Sequence, residues 1–343
     1  MESKSAQLEQ VSLPVTQPSH PSVMTPGPTY RDIEPLAADV PLLDEPKTPC
    51  SKSATPFAAN HGERQYWQLF HGDCRQVLPA LPAKSINCVV TSPPYYWQRD
   101  YGVDGQIGLE DSIAGYVDGM REAFRGLWHV LRDDGTVFLN IGDTYYSAKG
   151  LPHGDDAKHR ARRFGLRAVD TSGLGLPRKS LIGIPWRVAL ALQQDGWTLR
   201  SSIVWVRHTS IPEPTAKDRP WRKYEFVFLF SKSPRYFFDR DALQGEEDVW
   251  VIEPERNSLA RGTHYAPFPR ELAARCISAG CPEGGVVLDP FVGGGTTMLK
   301  ALEMGRSTIG IELNRDFCAI IQEKLDAPSQ VSMLRRQTGG FTT

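Results

Sequence analysis

From Tyr66 onward short apolar runs alternate with amphipathic stretches, and this rhythm restricts the fold more than any other feature of the sequence. YWQLFHGD (66–73), INCVVTS (86–92), TVFLNIGD (136–143), WTLRSSIVWV (197–206), YEFVFLF (224–230), VVLD (286–289) and STIGIEL (307–313) read as strands. Between them, 112–131 carries apolar residues at three- and four-residue spacing, the mark of an amphipathic helix. The same spacing predicts helices at 181–194, with Ser180 as N-cap, and at 271–279, 297–304 and 316–325. Several strands are continuous apolar runs, which suits burial on both faces. The expectation is an α/β fold around a mostly parallel sheet covered by helices on both sides.

Composition varies along the chain. Residues 1–60 are rich in Pro, Ser, Thr and Gln, with four Lys/Arg against seven Asp/Glu. Such a segment buries too little apolar surface to offset its ordering entropy, so a disordered arm is expected there. A flexible tail is expected at 328–343. The whole chain carries 39 Lys+Arg against 40 Asp+Glu, which excludes a uniformly basic DNA-coating protein. It leaves room for local basic surface, and 145–179 holds eight Lys/Arg against three Asp. No run of 18 apolar residues suggests a membrane span, and MESKSAQLEQ lacks the pattern of a secretory signal. Six cysteines in 343 residues do not make a disulfide scaffold, so a cytoplasmic setting is expected. Cys276 and Cys281 have no second Cys/His pair at ligand spacing, and no metal is expected.

Two stretches carry the chemistry. LDPFVGGGTT (288–297) follows one strand and opens a helix, with glycines for a tight turn and free N–H groups at the helix start. Twenty-three residues beyond Asp289, Glu312 ends the next strand, where an acidic side chain can accept both hydroxyls of a ribose. In TSPPY (91–95) two prolines fix the backbone after a strand. The Ser92 hydroxyl and Pro93 carbonyl then form a rigid acceptor pair, with the Tyr95 ring behind them, as a planar ring bearing an amine requires. A Ser-His-Asp hydrolase is excluded because Ser92 lacks the GxSxG elbow.

TSPPY followed at long interval by DPFxGxGTT and IELN resembles the DNA amino-methyltransferases of the permuted beta class. The likeness extends from about Gln65 to Asp326 and takes in HGDC (71–74), QIGLE (106–110), RDDGTVFLNIGD (132–143), KYEFVFLFSKSPRYFFD (223–239) and HYAPFPRELAARCI (264–277). It implies a Rossmann-like, seven-stranded methyltransferase sheet, circularly permuted, with a small target-recognition region. It implies S-adenosyl-L-methionine as methyl donor and an exocyclic amine of double-stranded DNA as acceptor. By the same resemblance Asp289, Phe291, Gly293, Gly295 and Thr296 form the donor loop, and Glu312 holds the ribose. Asp73 meets the donor's adenine amine, and His264, Phe268 and Pro269 line its methionine end. Ser92, Pro93, Pro94 and Tyr95 form the catalytic loop. The segments become a catalytic part at 61–206 containing the basic insert, a recognition region at 207–262 and a donor-binding part at 263–327.

Ser at the first loop position is typical of N4-cytosine enzymes, Asp of N6-adenine ones. The resemblance therefore implies N4-cytosine methylation and leaves N6-adenine methylation, or a catalytically silent DNA-binding scaffold, as alternatives. The target base must leave the duplex. Tyr95 would stack on it, and Arg99 or Tyr96 would meet the distorted strand. Arg219, Arg222 and Lys223 are the expected readers of sequence, and Arg162 and Arg163 the expected phosphate contacts. A cognate restriction endonuclease is the genetic partner the resemblance allows.

Overall fold

The computed structural model describes residues 54–62, 65–147, 168–171, 173–207, 216–253 and 269–327. Among the described residues there are nine strands: β1 (Ala58–His61), β2 (Tyr66–His71), β3 (Ile86–Thr91), β4 (Leu131–Ile141), β5 (Thr198–Val206), β6 (Tyr224–Ser231), β7 (Val249–Val251), β8 (Val286–Asp289) and β9 (Ser307–Glu312). They form one sheet in the order β1-β2-β9-β8-β3-β4-β6-β5-β7. β2, β9, β8, β3 and β4 run parallel, and β6 is antiparallel to both β4 and β5. Six helices among the described residues accompany it: α1 (Cys74–Val77), α2 (Ile113–Val130), α3 (Ile184–Gln194), α4 (Arg270–Gly280), α5 (Thr296–Glu303) and α6 (Arg315–Asp326).

The two-residue period of each strand divides its side chains between two cores. Val89, Val137, Leu139, Phe228 and Phe230 join α2 and α3 on one face. Cys88, Val90, Phe138, Val227 and Leu229 join α4 on the other. α2 presents Ile113, Tyr116, Met120, Ala123, Phe124, Leu127 and Val130 inward, at the spacing read from the sequence. Ser112 caps it by accepting from the Gly115 N–H at 3.0 Å. Cys88, Cys276 and Cys281 are fully buried packing residues. None of the described helices is long and apolar enough to cross a membrane, and no described group of three or more His, Cys, Asp or Glu could hold a metal ion.

Several boundaries differ from those read in the sequence. The described sheet has nine strands rather than seven because β1 and β7 add to its edges. β1 (AANH) is mostly exposed with no apolar alternation, and β7 (VWV) is three residues long, so neither carries a periodic signal. β1 also falls at the end of the expected disordered arm, of which residues 1–53 lie outside the described residues. β4 begins at Leu131 rather than 136 and carries a register shift against β3. Gly135 sits there, where a Cβ would lie 2.7 Å from the Leu131 side chain. α3 begins at Ile184, not at 181, and Ser180 does not cap it. Leu181 is held in a bridge to Tyr145, and the Asp143 carboxylate, arriving from the end of β4, accepts from the Gly183 and Ile184 N–H groups at 3.0 Å. The 207–262 interval contributes β6 and β7 to the sheet itself.

Gly280, the last residue of α4, brings that helix close to the sheet. A Cβ there would lie 2.5 Å from the Phe138 ring and from Thr136 Oγ1, and 3.1 Å from Cys88 Sγ, all buried groups. Gly280→Ala should therefore destabilise the protein by about 1–3 kcal/mol through overpacking. The expected reading is a lower denaturant midpoint at unchanged slope; an unchanged midpoint would mean that α4 shifts freely.

Candidate active site

Parallel strands share one carboxyl edge, and this is where open α/β sheets bind ligands. Here that edge gathers residues far apart in sequence. Across the sheet it carries Asp73 after β2, Glu312 on β9, Asp289 on β8, Ser92–Tyr95 after β3 and Asn140–Asp143 at the end of β4. Arg207 follows β5, and because β6 runs the other way its first residues, including Glu225, reach the same edge.

The glycine loop is organised from beneath by Asp289. Its carboxylate, 1% exposed, accepts from Thr91 Oγ1 at 2.7 Å, Thr297 Oγ1 at 2.7 Å and the Phe291 N–H at 3.1 Å. Burial pushes its pKa up to about 6. Thr297 Oγ1 also lies 3.2 Å from the Val90 carbonyl, which sets the loop against β3. Thr296, expected in the donor loop, opens α5 beside it. Gly293 and Gly295 have positive φ, 52° and 84°, which an L side chain adopts only with strain. A Cβ on Gly294 would meet nothing within 4 Å, so the loop presents open space on that side.

Glu312 stands at the rim of this loop. Its carboxylate accepts from the Gly293 N–H at 2.9 Å and the Asn314 N–H at 2.9 Å, leaving acceptor capacity for a ligand. Burial pushes its pKa up to about 7. Asp73 begins α1 as its N-cap and is paired with Arg75 at 2.6 Å; Arg75 also donates to the Gly105 carbonyl at 2.9 Å. Phe291 is half-buried, and Pro269 is buried as the N-cap of α4. His264 and Phe268 lie outside the described residues.

The catalytic-loop candidates are clamped by residues that the sequence reading gave no role. The Tyr116 hydroxyl donates to the Pro94 carbonyl at 2.9 Å. The Trp97 N–H donates to the Gly108 carbonyl at 2.7 Å, and a Cβ on Gly108 would lie 3.2 Å from Pro94. Gly142 packs directly on the Tyr95 ring: a Cβ there would lie 2.6 Å from Cε2. The Ser92 hydroxyl donates to Tyr95 Oη at 3.3 Å. Tyr95 Oη in turn lies 2.6 Å from Glu225 Oε2 and 3.0 Å from Asn140 Oδ1. Burial, then the facing Glu225 charge, hold the Tyr95 pKa well above 10, so the phenol is neutral. Among the described residues no donor reaches the Pro93 carbonyl. Gly108 and Gly142 sit inside QIGLE and NIGD, so the motifs were visible; the close approach each glycine permits was not.

The expected DNA contacts are placed unevenly. Tyr96 is fully buried and donates to the Val169 carbonyl, so it is a core residue rather than one that meets a strand. Arg99 is half-buried and its charge faces the Tyr101 hydroxyl. Arg219 stacks on Tyr145 with its guanidinium carbon 3.8 Å from the ring centroid, and Arg222 lies 5.2 Å from the same ring. Arg222 also donates to the Asp143 carbonyl, and Lys223 is exposed. Arg162 and Arg163 lie outside the described residues.

The edge thus offers two adjoining chemistries: an open glycine loop rimmed by a carboxylate, and a rigid pair of hydrogen-bond acceptors one strand away. The chain is 41% identical to the type II methyltransferase M.SmaI of Serratia marcescens over 269 residues, covering 75% of this chain and 90% of that protein. It is 41% identical to M.Cfr9I of Citrobacter freundii over 292 residues, covering 81% and 95%. Among solved structures, the cytosine-N4-specific PvuII DNA methyltransferase superposes with a TM-score of 0.60 at 20% identity, covering 82% of this chain and 92% of that one. A DNA modification methylase of Thermus thermophilus, complexed with S-adenosyl-L-methionine, superposes with a TM-score of 0.53 at 25% identity, covering 75% and 91%. The family described as DNA methylase (N6_N4_Mtase) matches residues 86–323, and the chain belongs to that family.

Proposed function

We propose that the protein transfers a methyl group from S-adenosyl-L-methionine to the exocyclic N4 amine of cytosine in duplex DNA, as an enzyme of the beta class whose catalytic loop precedes its donor loop. The observation that carries this reading is the Ser92–Pro93 acceptor pair, held one strand from the open glycine loop by the Thr91–Asp289 hydrogen bond of 2.7 Å. The description of the matching family as DNA methylase supports DNA as the substrate.

The residues fit the donor. Open space over Gly294 leaves room for it, and Glu312 retains acceptor sites for ribose hydroxyls. Asp73, Phe291 and Pro269 would flank it, with His264 and Phe268. S-adenosyl-L-methionine supplies an electrophilic methyl group on a sulfonium when bound.

An exocyclic amine is a poor nucleophile because its lone pair is delocalised into the ring. The Ser92 hydroxyl and Pro93 carbonyl would accept the two amine hydrogens and favour a tetrahedral nitrogen whose lone pair is free to attack. Positioning of this kind supplies much of the acceleration in a direct transfer. Tyr95, braced by Gly142, would support the flipped base from one side. Arg219, Arg222 and Lys223 are assigned to the target-recognition region at 207–262, and Arg162 and Arg163 to phosphate contacts. A cognate restriction endonuclease completes the proposed genetic setting.

The direct test uses methyl-labelled S-adenosyl-L-methionine and unmethylated duplex DNA, digested to nucleosides after reaction. Label is expected in N4-methyldeoxycytidine; label in N6-methyldeoxyadenosine would overturn the base assignment, and no label would favour a silent scaffold. Gly142→Ala should lower kcat by about a hundredfold or more with donor affinity within about twofold, because only the Tyr95 brace is displaced. An equal loss of donor affinity would show that Gly142 serves the fold instead. Donor binding also carries a pH signature. Ribose hydroxyls are held by the ionised Glu312 carboxylate, whose pKa is raised to about 7, so affinity should rise with pH and level off above that value. Titration calorimetry between about pH 6 and 8 checks this, and Glu312→Gln should abolish the slope.

A further inference from the structure

The Tyr95 hydroxyl meets a carboxylate that the motif does not contain. Glu225, the second residue of β6, accepts from Tyr95 Oη at 2.6 Å with Oε2 and is paired through Oε1 with Arg207 at 2.9 Å. Arg207 is held in turn over the Trp205 ring, its guanidinium carbon 5.4 Å from the centroid. Asn140 donates to Glu225 Oε2 at 3.3 Å and to the Phe226 carbonyl at 3.1 Å, which turns its Oδ1 toward Tyr95. Every group beyond Tyr95 therefore presents an acceptor to the phenol.

We propose that Glu225, fixed by Arg207, is a positioning residue that sets the direction of the Ser92 hydroxyl through Tyr95 and so makes the active site select an amine-bearing base. The proposal rests on the N4-cytosine reading above. An ionised carboxylate can only accept, so Tyr95 must donate its single proton away from Ser92. Its oxygen is then left as an acceptor, and the Ser92 proton points to it at 3.3 Å. The Ser92 lone pairs are thereby turned toward the acceptor site shared with Pro93. Two acceptors face the two hydrogens of an amine and repel a carbonyl at the same ring position. The neutrality of the Tyr95 phenol belongs to the same arrangement, since only the protonated form can complete the chain. No proton changes owner; the chain acts by fixing which way each hydroxyl points.

Glu225→Gln keeps the shape and breaks the polarity. Arg207 can only donate, so the amide oxygen must turn to Arg207 and the amide nitrogen to Tyr95, where a donor now stands in place of an acceptor and also faces the Asn140 Nδ2 donor, so that Asn140 loses the partner that holds its Oδ1 toward Tyr95. The site that wild-type enzyme methylates is first mapped from its labelled product, which tests the functional reading independently: no label in cytosine there defeats that reading, whatever the variants do. On duplexes carrying that site, E225Q should lose roughly ten- to a hundredfold in kcat while its affinity for S-adenosyl-L-methionine is unchanged. With a non-reactive donor analogue bound, wild type should prefer cytosine over uracil at the target position by about tenfold or more, and E225Q should narrow that preference. If Glu225 acts through Tyr95, the double variant Tyr95→Phe/Glu225→Gln should be no slower than Tyr95→Phe alone. Should E225Q not fold, Glu225→Asp keeps a charge for Arg207 and withdraws it from Tyr95, and the same loss is expected. Full kcat in the folded variant, an unaltered cytosine-to-uracil preference, or losses that multiply in the double variant would each overturn the proposal.

Discussion

The buried carboxylate of Asp289 is the constraint on which the rest of the edge depends. A charge in that position is costly unless it is hydrogen-bonded. Thr91, Thr297 and the Phe291 N–H supply three donors, and each belongs to a different part of the site. Thr91 immediately precedes Ser92, Phe291 opens the glycine loop, and Thr297 lies in the first turn of α5. One carboxylate therefore fixes the spacing between the loop proposed to hold the donor and the loop proposed to hold the acceptor. The two are adjacent in space through β3 and β8, although nearly 200 residues separate them in the chain.

Around that node the proposed catalytic loop is rigid for reasons that lie outside its own sequence. Two prolines restrict its backbone, but the Tyr116 hydroxyl, the Gly108 carbonyl and the bare backbone of Gly142 decide where it rests. Preorganisation of this kind suits a reaction in which orientation carries much of the acceleration. Asp143 performs a related service one strand further on. It caps α3 from the end of β4, so the helix that covers this face is anchored to the same edge as the site.

Legibility from sequence followed the range of the forces involved. The other seven strands and the helices at 113–130, 270–280, 296–303 and 315–326 were visible because burial selects apolar runs and imposes a local period on them. The start of α3 was not, because its cap comes from a residue 40 positions away and Leu181 is claimed by a bridge to Tyr145. β1 and β7 escaped notice because AANH has no apolar alternation and VWV is only three residues long; both are defined by their partners more than by their own pattern. Tyr96, expected beside Arg99 to meet the distorted strand, is instead buried in the core with its hydroxyl on the Val169 carbonyl.

The sequence by itself determined the sheet class, the order of its loops and the residue types at each loop, since these are written in local patterns and fixed spacings. The family followed from the same motifs. What only the tertiary structure decided was which groups meet: Thr91 and Thr297 on Asp289, glycines 108 and 142 against the proposed catalytic loop, and Glu225 with Arg207 behind Tyr95. These contacts join strands that are neighbours only after the sheet has assembled. No period or spacing along the chain records them, because hydrogen-bond direction and close approach are properties of atoms in space.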